Sequence, residues 1–120
     1  MNAIIEMNRT NYDPAVLEAE IPVLVEFYAP DCEQCEAIEP LLARLSQKFA
    51  GRIKFLRVNV DAEPLLAARH LINAVPMLML FKSGADVDDD ADFITPGALD
   101  AELERVARNT GKAPALTVSR

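Results

Sequence analysis

Cys32 and Cys35 are the residues whose types and spacing most directly indicate chemistry in this chain. They are its only cysteines, and only Glu33 and Gln34 separate them. They follow the apolar segment 23–29, which has the pattern of a buried strand. A cysteine pair with this spacing has three common roles: half of a zinc site, two inert core thiols, or a redox dithiol.

The surroundings of the pair favour the third role. Structural zinc usually takes four ligands, and besides the two thiols the chain offers one distant histidine, His70. Deep apolar burial fits poorly with the flanking carboxylates of Asp31, Glu33 and Glu36. A redox dithiol is typical of a place where a strand turns into a helix. We therefore interpret the pair as redox-active.

The predicted position at a helix start gives the two thiols different tasks. Free backbone N–H groups and the helix dipole favour a thiolate there, and the thiolate is the nucleophile in disulfide exchange. Cys32 would attack a substrate disulfide and form a mixed disulfide. Cys35, one turn behind, would attack that bond, release the reduced substrate and leave Cys32–Cys35 oxidised.

Three acidic residues surround the pair: Asp31, Glu33 and Glu36, called the acidic collar below. A carboxylate about 7 Å from the sulfur in watery surroundings costs a thiolate roughly 0.6 kcal/mol. Three of them could raise the thiol pKa by around 1 unit. The helix terminus acts by a similar amount in the opposite direction. We therefore expect Cys32 to be less acidic than the same thiol with neutral or basic neighbours.

Composition limits the partners and the location of the protein. The 120 residues suit one domain, and 51% are hydrophobic, enough for a packed core. A net charge of −7 makes nucleic acid a poor partner. The longest apolar run, 74–81, is far shorter than the roughly 20 residues of a membrane span. The N-terminus shows no secretory signal pattern, so a cytoplasmic location is the expectation.

Hydrophobic periodicity predicts an α/β fold with the order β-α-β-α-β-α-β-β-α. The early strand–helix alternation implies parallel strands, and a turn at Ser83-Gly84 implies that the last two strands are antiparallel. One domain is expected over 1–108, with a mobile tail over 109–120. The predicted strands are 3–7, 23–29, 53–60, 77–82 and 93–95. The predicted helices are 11–19, 33–49, a third that opens over 61–64 and has His70 near its C-terminal end, and 97–108.

Several side chains receive specific expectations from this pattern. Tyr12, Val16 and Leu17 could form one face of the first helix, and Leu65, Leu66 and Leu71 are expected to pack inward from the third. Glu26 interrupts the apolar segment 23–29, and two interpretations stay open for it. The carboxyl is either buried, where it must be paired, hydrated or protonated, or it lies near the strand end and reaches water.

Four segments in the same order resemble the thioredoxin family, including the thioredoxin-like modules of protein disulfide isomerases. They are FYAPDCEQC (27–35), VNVDAEP (58–64), AVPMLMLFKSG (74–84) and the final helix, and the match covers 3–108. The resemblance implies a thioredoxin fold, with a mixed five-stranded sheet flanked by about four helices. It also implies a monomer without a cofactor that acts on protein disulfides and is served by a thioredoxin reductase.

The resemblance also assigns roles to the site residues. Cys32 resembles the exposed attacking cysteine and Cys35 the buried resolving one. Pro76 resembles the cis-proline that faces the dithiol, and Val75 would offer backbone hydrogen bonds to a substrate strand. Glu26 stands in the place of a buried acid, usually aspartate, that handles the proton of the resolving cysteine.

Other positions match the family's pattern less closely. Arg57 stands where a lysine often accompanies the buried acid. Asp31 replaces a tryptophan, and Asp92 takes the place of a glycine near the substrate groove, so both would face the substrate. Glu36 stands where a basic residue is common.

The sequence thus predicts a cytoplasmic protein-disulfide reductase that takes part in electron transport and cell redox homeostasis. The alternative is a thioredoxin-like adaptor or chaperone whose dithiol is incidental or senses redox state. The two differ in whether partner binding survives when both cysteines are replaced by serine.

Overall fold

The computed structural model describes residues 4–83, 85–86 and 96–109. Within these residues, five strands and four helices follow one another in the order β-α-β-α-β-α-β-β-α. The strands are β1 (Ile4–Glu6), β2 (Val23–Tyr28), β3 (Lys54–Asn59), β4 (Met77–Lys82) and β5 (Ala85–Asp86). The helices are α1 (Tyr12–Leu17), α2 (Glu33–Lys48), α3 (Pro64–Arg69) and α4 (Pro96–Asn109).

The strands form one mixed sheet with the order β1-β3-β2-β4-β5. The pairs β1–β3 and β2–β3 are parallel, whereas β2–β4 and β4–β5 are antiparallel. Ser83, which follows β4, has a φ of 55° and lies in the predicted turn. The predicted fold class is confirmed. The fifth strand lies at Ala85–Asp86, while the predicted strand 93–95 and the predicted tail from 110 onward lie outside the described residues.

Two hydrophobic cores cover the two faces of the sheet. Helices α1 and α3 pack on one face, and α2 and α4 pack on the other. Alternation along β2 directs Val25 and Phe27 to the first core and Leu24 to the second. The same alternation directs Glu26 to the face covered by α2 and α4.

Three leucines do not pack as predicted. Leu17, Leu65 and Leu71 are 58%, 65% and 85% exposed, respectively. Helix α3 ends at Arg69, and Leu71 then adopts a φ of 57°, so the helical periodicity used to place it no longer applies. The inward packing predicted for Leu66 is confirmed, as is that of Tyr12 and Val16 of α1.

Candidate functional site

The dithiol lies where the chain passes from β2 into α2. Cys32 is the N-cap residue of α2, with the extended backbone typical of that position (φ −120°, ψ 108°). Its Sγ accepts a hydrogen bond from the backbone N–H of Cys35, at 3.1 Å. The sulfur therefore occupies the place that a capping oxygen would take, and it receives one of the free N–H groups at the helix start.

The two cysteines form a disulfide, so the structure shows the oxidised state. Their Cα atoms are 5.2 Å apart and their Sγ atoms 2.25 Å apart. Cys32 is 8% exposed and Cys35 is 2% exposed. Cys32 is thus the more exposed of the two residues, although less exposed than the resemblance implied, because both cysteines of the disulfide are buried at the helix start.

Val75 and Pro76 lie at the same edge of the sheet as the dithiol. Met77, the first residue of β4, pairs with Phe27 near the carboxyl end of β2, and the chain reaches Cys32 five residues after Phe27. The Val75–Pro76 peptide bond is cis, as the resemblance implied. The substrate-binding roles of Val75 and Pro76 stay predictions, since no substrate is present.

The acidic collar is on the surface around the dithiol, and its three members are exposed. Glu33 and Glu36 lie in the first turn of α2, where the dipole favours their charges. Asp92, the other acidic residue predicted to face the substrate, lies outside the described residues.

We expect the acidic collar to raise the pKa of the Cys32 thiol in the reduced protein. The matched comparison is a variant with Asp31→Asn, Glu33→Gln and Glu36→Gln, which keeps the side-chain shapes and removes the charges. Its Cys32 pKa should be lower by about 1 unit at low salt, because three nearby carboxylates no longer oppose the thiolate. Thiolate absorbance against pH measures both values. Equal values, or a higher value in the variant, would refute this expectation.

Glu26 is buried, which decides between its two interpretations. Its side chain is 2% exposed, and neither carboxylate oxygen has a hydrogen-bond partner among the described residues. Burial, followed by the nearby Glu39 carboxylate, raises its pKa to about 7, although the charge of Arg57 acts in the opposite direction. Glu26 therefore exchanges a proton near neutral pH.

Arg57 lies beside Glu26, because the two face each other in the register of β2 and β3. The guanidinium Nε is 3.9 Å from Glu26 Oε1 and 3.6 Å from Glu6 Oε1. Its Nη2 donates a hydrogen bond to Glu39 Oε2 at 2.9 Å. The closest carboxylate of Arg57 is therefore Glu39 of α2 and not the predicted partner Glu26.

Glu6, Tyr28 and Glu39 belong to this site, and sequence reasoning missed them. The Tyr28 hydroxyl donates to Glu6 Oε1 at 2.8 Å, and its ring centroid lies 3.9 Å from the Arg57 guanidinium carbon. Glu39 follows Cys35 by four residues, so the same face of α2 carries the resolving cysteine and the carboxylate that is hydrogen-bonded to Arg57. That spacing was a usable signal for Glu39. Glu6 could be placed only with the register of β1 against β3.

Within the described ranges, no three His, Cys, Asp or Glu side chains group so as to hold a metal ion. The helices in the described part of the chain are too short or too polar to cross a membrane.

A family model and several known proteins are similar to this chain over most of its length. The family model described as Thioredoxin matches residues 3–105. Thioredoxin 1 of Nostoc sp. and the thioredoxin of Synechocystis sp. are each 33% identical over 105 residues, covering 88% of this chain and 98% of the relative. The chloroplastic thioredoxin M4 of Arabidopsis thaliana is 36% identical over 99 residues, which are 82% of this chain and 51% of that protein.

Proposed function

Because this chain belongs to the thioredoxin family, as a match over residues 3–105 shows, we propose that it is a thiol–disulfide oxidoreductase that reduces protein disulfides. The observation that carries the proposal is the Cys32–Cys35 disulfide at the start of α2. The disulfide is the oxidised half of a cycle in which the same pair, as a dithiol, would reduce the substrate.

The reaction proceeds in two exchanges. In the reduced protein the Cys32 thiolate attacks one sulfur of a substrate disulfide, forms a mixed disulfide and releases the other substrate sulfur as a thiolate. The Cys35 thiol then loses its proton and attacks the Cys32 sulfur of the mixed disulfide. The substrate leaves as a dithiol, the Cys32–Cys35 bond forms, and two electrons have passed to the substrate.

Glu26 supports the second exchange in this proposal. It is buried on the sheet face that α2 covers, and its pKa of about 7 lets it accept a proton near neutral pH. The ionised Glu26 carboxylate would take the Cys35 proton and become a neutral carboxylic acid, the form that its burial favours.

The substrate and its surroundings are also part of the proposal. Backbone groups at Val75 and the cis-proline Pro76 would align the chain that carries the substrate disulfide, with Asp31 and Asp92 beside it. A thioredoxin reductase would return electrons to the oxidised pair, and the protein would act as a monomer. The cytoplasm is the proposed location, since its reducing conditions suit an enzyme that must be re-reduced after each turnover.

The reduction potential of the Cys32–Cys35 pair tests the direction of electron flow. We expect a value below about −250 mV, close to that of thioredoxin, because the acidic collar disfavours the thiolate that makes strong oxidants out of such pairs. Equilibration with glutathione buffers of known ratio, followed by quantification of the disulfide, gives the potential. A value above about −200 mV, typical of oxidants and isomerases, would contradict the proposed direction.

A further inference from the structure

The Arg57 guanidinium lies within 3.9 Å of three carboxylates beneath helix α2. Arg57 faces Glu26 of β2 and Glu6 of β1 in the sheet register, and Glu39 approaches from α2. Glu26 is the most buried of the three carboxylates, at 2% exposure against 50% for Glu6 and 30% for Glu39. Burial makes Glu26 the carboxylate that needs a cation most, because water solvates the other two.

Arg57 nevertheless forms its hydrogen bond with Glu39 and not with Glu26. The Nη2–Oε2 distance of 2.9 Å is a charge-assisted hydrogen bond, whereas 3.9 Å from Nε to Glu26 Oε1 exceeds hydrogen-bonding distance. The buried Arg57 Nε and both oxygens of Glu26 lack hydrogen-bond partners among the described residues. Such unsatisfied buried groups are rare and call for an explanation.

We propose that Glu39 is a positioning residue: it holds the Arg57 guanidinium towards helix α2 and thereby keeps it beyond hydrogen-bonding distance of Glu26, which is left with a long ion pair of 3.9 Å. Glu39 also stands one helical turn after Cys35. The same helix therefore carries the resolving thiol and the side chain that controls the cation of its proton acceptor.

The other groups around Glu26 do not hold the Arg57 guanidinium as Glu39 does. Tyr28 of β2 is neutral, since burial and its hydrogen bond to Glu6 raise its pKa to about 12. Glu6 of β1 lies 3.6 Å from Arg57 Nε, but its Oε1 already accepts the Tyr28 hydroxyl. On β4 the residue paired with Glu26 is Leu78, which carries no charge.

Glu39→Gln tests the proposal. It removes the carboxylate that holds Arg57, so the guanidinium can pair with Glu26 and stabilise its ionised form. We expect the Glu26 pKa to fall by about 1 unit or more. Carboxyl ¹³C shifts of the oxidised protein against pH measure this, with Glu26 assigned from the Glu26→Gln spectrum. The matched control is Glu18→Gln, which removes the same charge from an exposed residue next to α1, on the other face of the sheet.

A second background separates positioning from a simple charge effect. In an Arg57→Gln protein no guanidinium remains to be released, so Glu39→Gln should lower the Glu26 pKa by clearly less than in the wild type. An equal decrease in both backgrounds would reduce Glu39 to a neighbouring charge and overturn the positioning role. An unchanged Glu26 pKa in the single variant would overturn it as well.

The consequence for turnover rests on the proposed function of Glu26 and Cys35. With a lower Glu26 pKa, the unprotonated acceptor persists to lower pH, so the acid limb of the rate–pH profile should move down with the Glu26 titration. If the titration moves and the rate profile does not, the positioning role of Glu39 stands and the proton-transfer role of Glu26 fails. If neither moves, the positioning role itself is wrong.

Discussion

Replacing Cys32 with serine is expected to lower the rate of protein-disulfide reduction by on the order of 1,000-fold or more. Serine keeps the size of the side chain and its capacity to accept the Cys35 N–H hydrogen bond. It cannot form a disulfide, so neither exchange can begin. Reduction of insulin by dithiothreitol, with and without the protein, measures the loss.

Cys35→Ser is the matched variant, because it makes the same replacement one turn further along α2. It should also lose turnover, but for a different reason: Cys32 can still attack, and the mixed disulfide then has no resolving thiol. Rates of Cys32→Ser close to those of the wild type would contradict the assignment of Cys32 as the nucleophile.

The adaptor alternative makes a different forecast for the double variant Cys32→Ser/Cys35→Ser. An adaptor would keep its partners after both thiols are lost, since its binding would not depend on a covalent intermediate. A reductase should lose covalent capture and turnover together. Retained capture of the same partners in the double variant would favour the adaptor.

The free energy of unfolding of Glu26→Gln, minus that of the wild type, is expected to increase as pH rises. The Glu26 pKa rises from 4.5 to about 7 on folding. The contribution of Glu26 to the free energy of unfolding is therefore fully present below pH 4.5 and is lost as pH increases through 7. That loss is about 3 kcal/mol, since each pKa unit corresponds to about 1.36 kcal/mol. Glutamine does not titrate and does not show this loss.

Urea unfolding of the oxidised proteins at pH 4.5 and pH 8 measures the difference. The stability of Glu26→Gln minus that of the wild type should increase by about 3 kcal/mol between the two pH values. Glu18→Gln, at an exposed carboxylate next to α1, should show little change. A difference for Glu26→Gln that stays constant with pH would mean that Glu26 is ionised in the folded protein as readily as in the unfolded chain.

The sequence was sufficient for the parts of the site that depend on local pattern. Cys32 and Cys35 follow from their spacing at a strand–helix junction, whereas the role of Pro76 came from the resemblance to the thioredoxin family. The burial of Glu26 was one of two open interpretations. Apolar residues before and after Glu26 predict a strand, but they do not show where that strand leaves the sheet and reaches water. The structure resolves this, since Glu26 lies inside β2 on the face that α2 and α4 cover.

The parts that were missed depend on tertiary contacts. Glu6 and Glu39 meet at Arg57 only because β1 and β2 flank β3 and α2 lies across that face. The inward packing predicted for Leu71 assumed that α3 continues, whereas the helix ends at Arg69. Periodicity locates a helix well but defines its end poorly, so residues near the end are placed with least accuracy.

The most direct test of the account is the intact mass of reduced Cys35→Ser after incubation with a disulfide-bonded cyclic peptide. Cys35→Ser should gain an adduct of one peptide mass, joined through Cys32 and removed by dithiothreitol. The wild type should show no lasting adduct, because Cys35 resolves it. Absence of an adduct in Cys35→Ser, or an equal adduct through Cys35 in Cys32→Ser, would contradict the account.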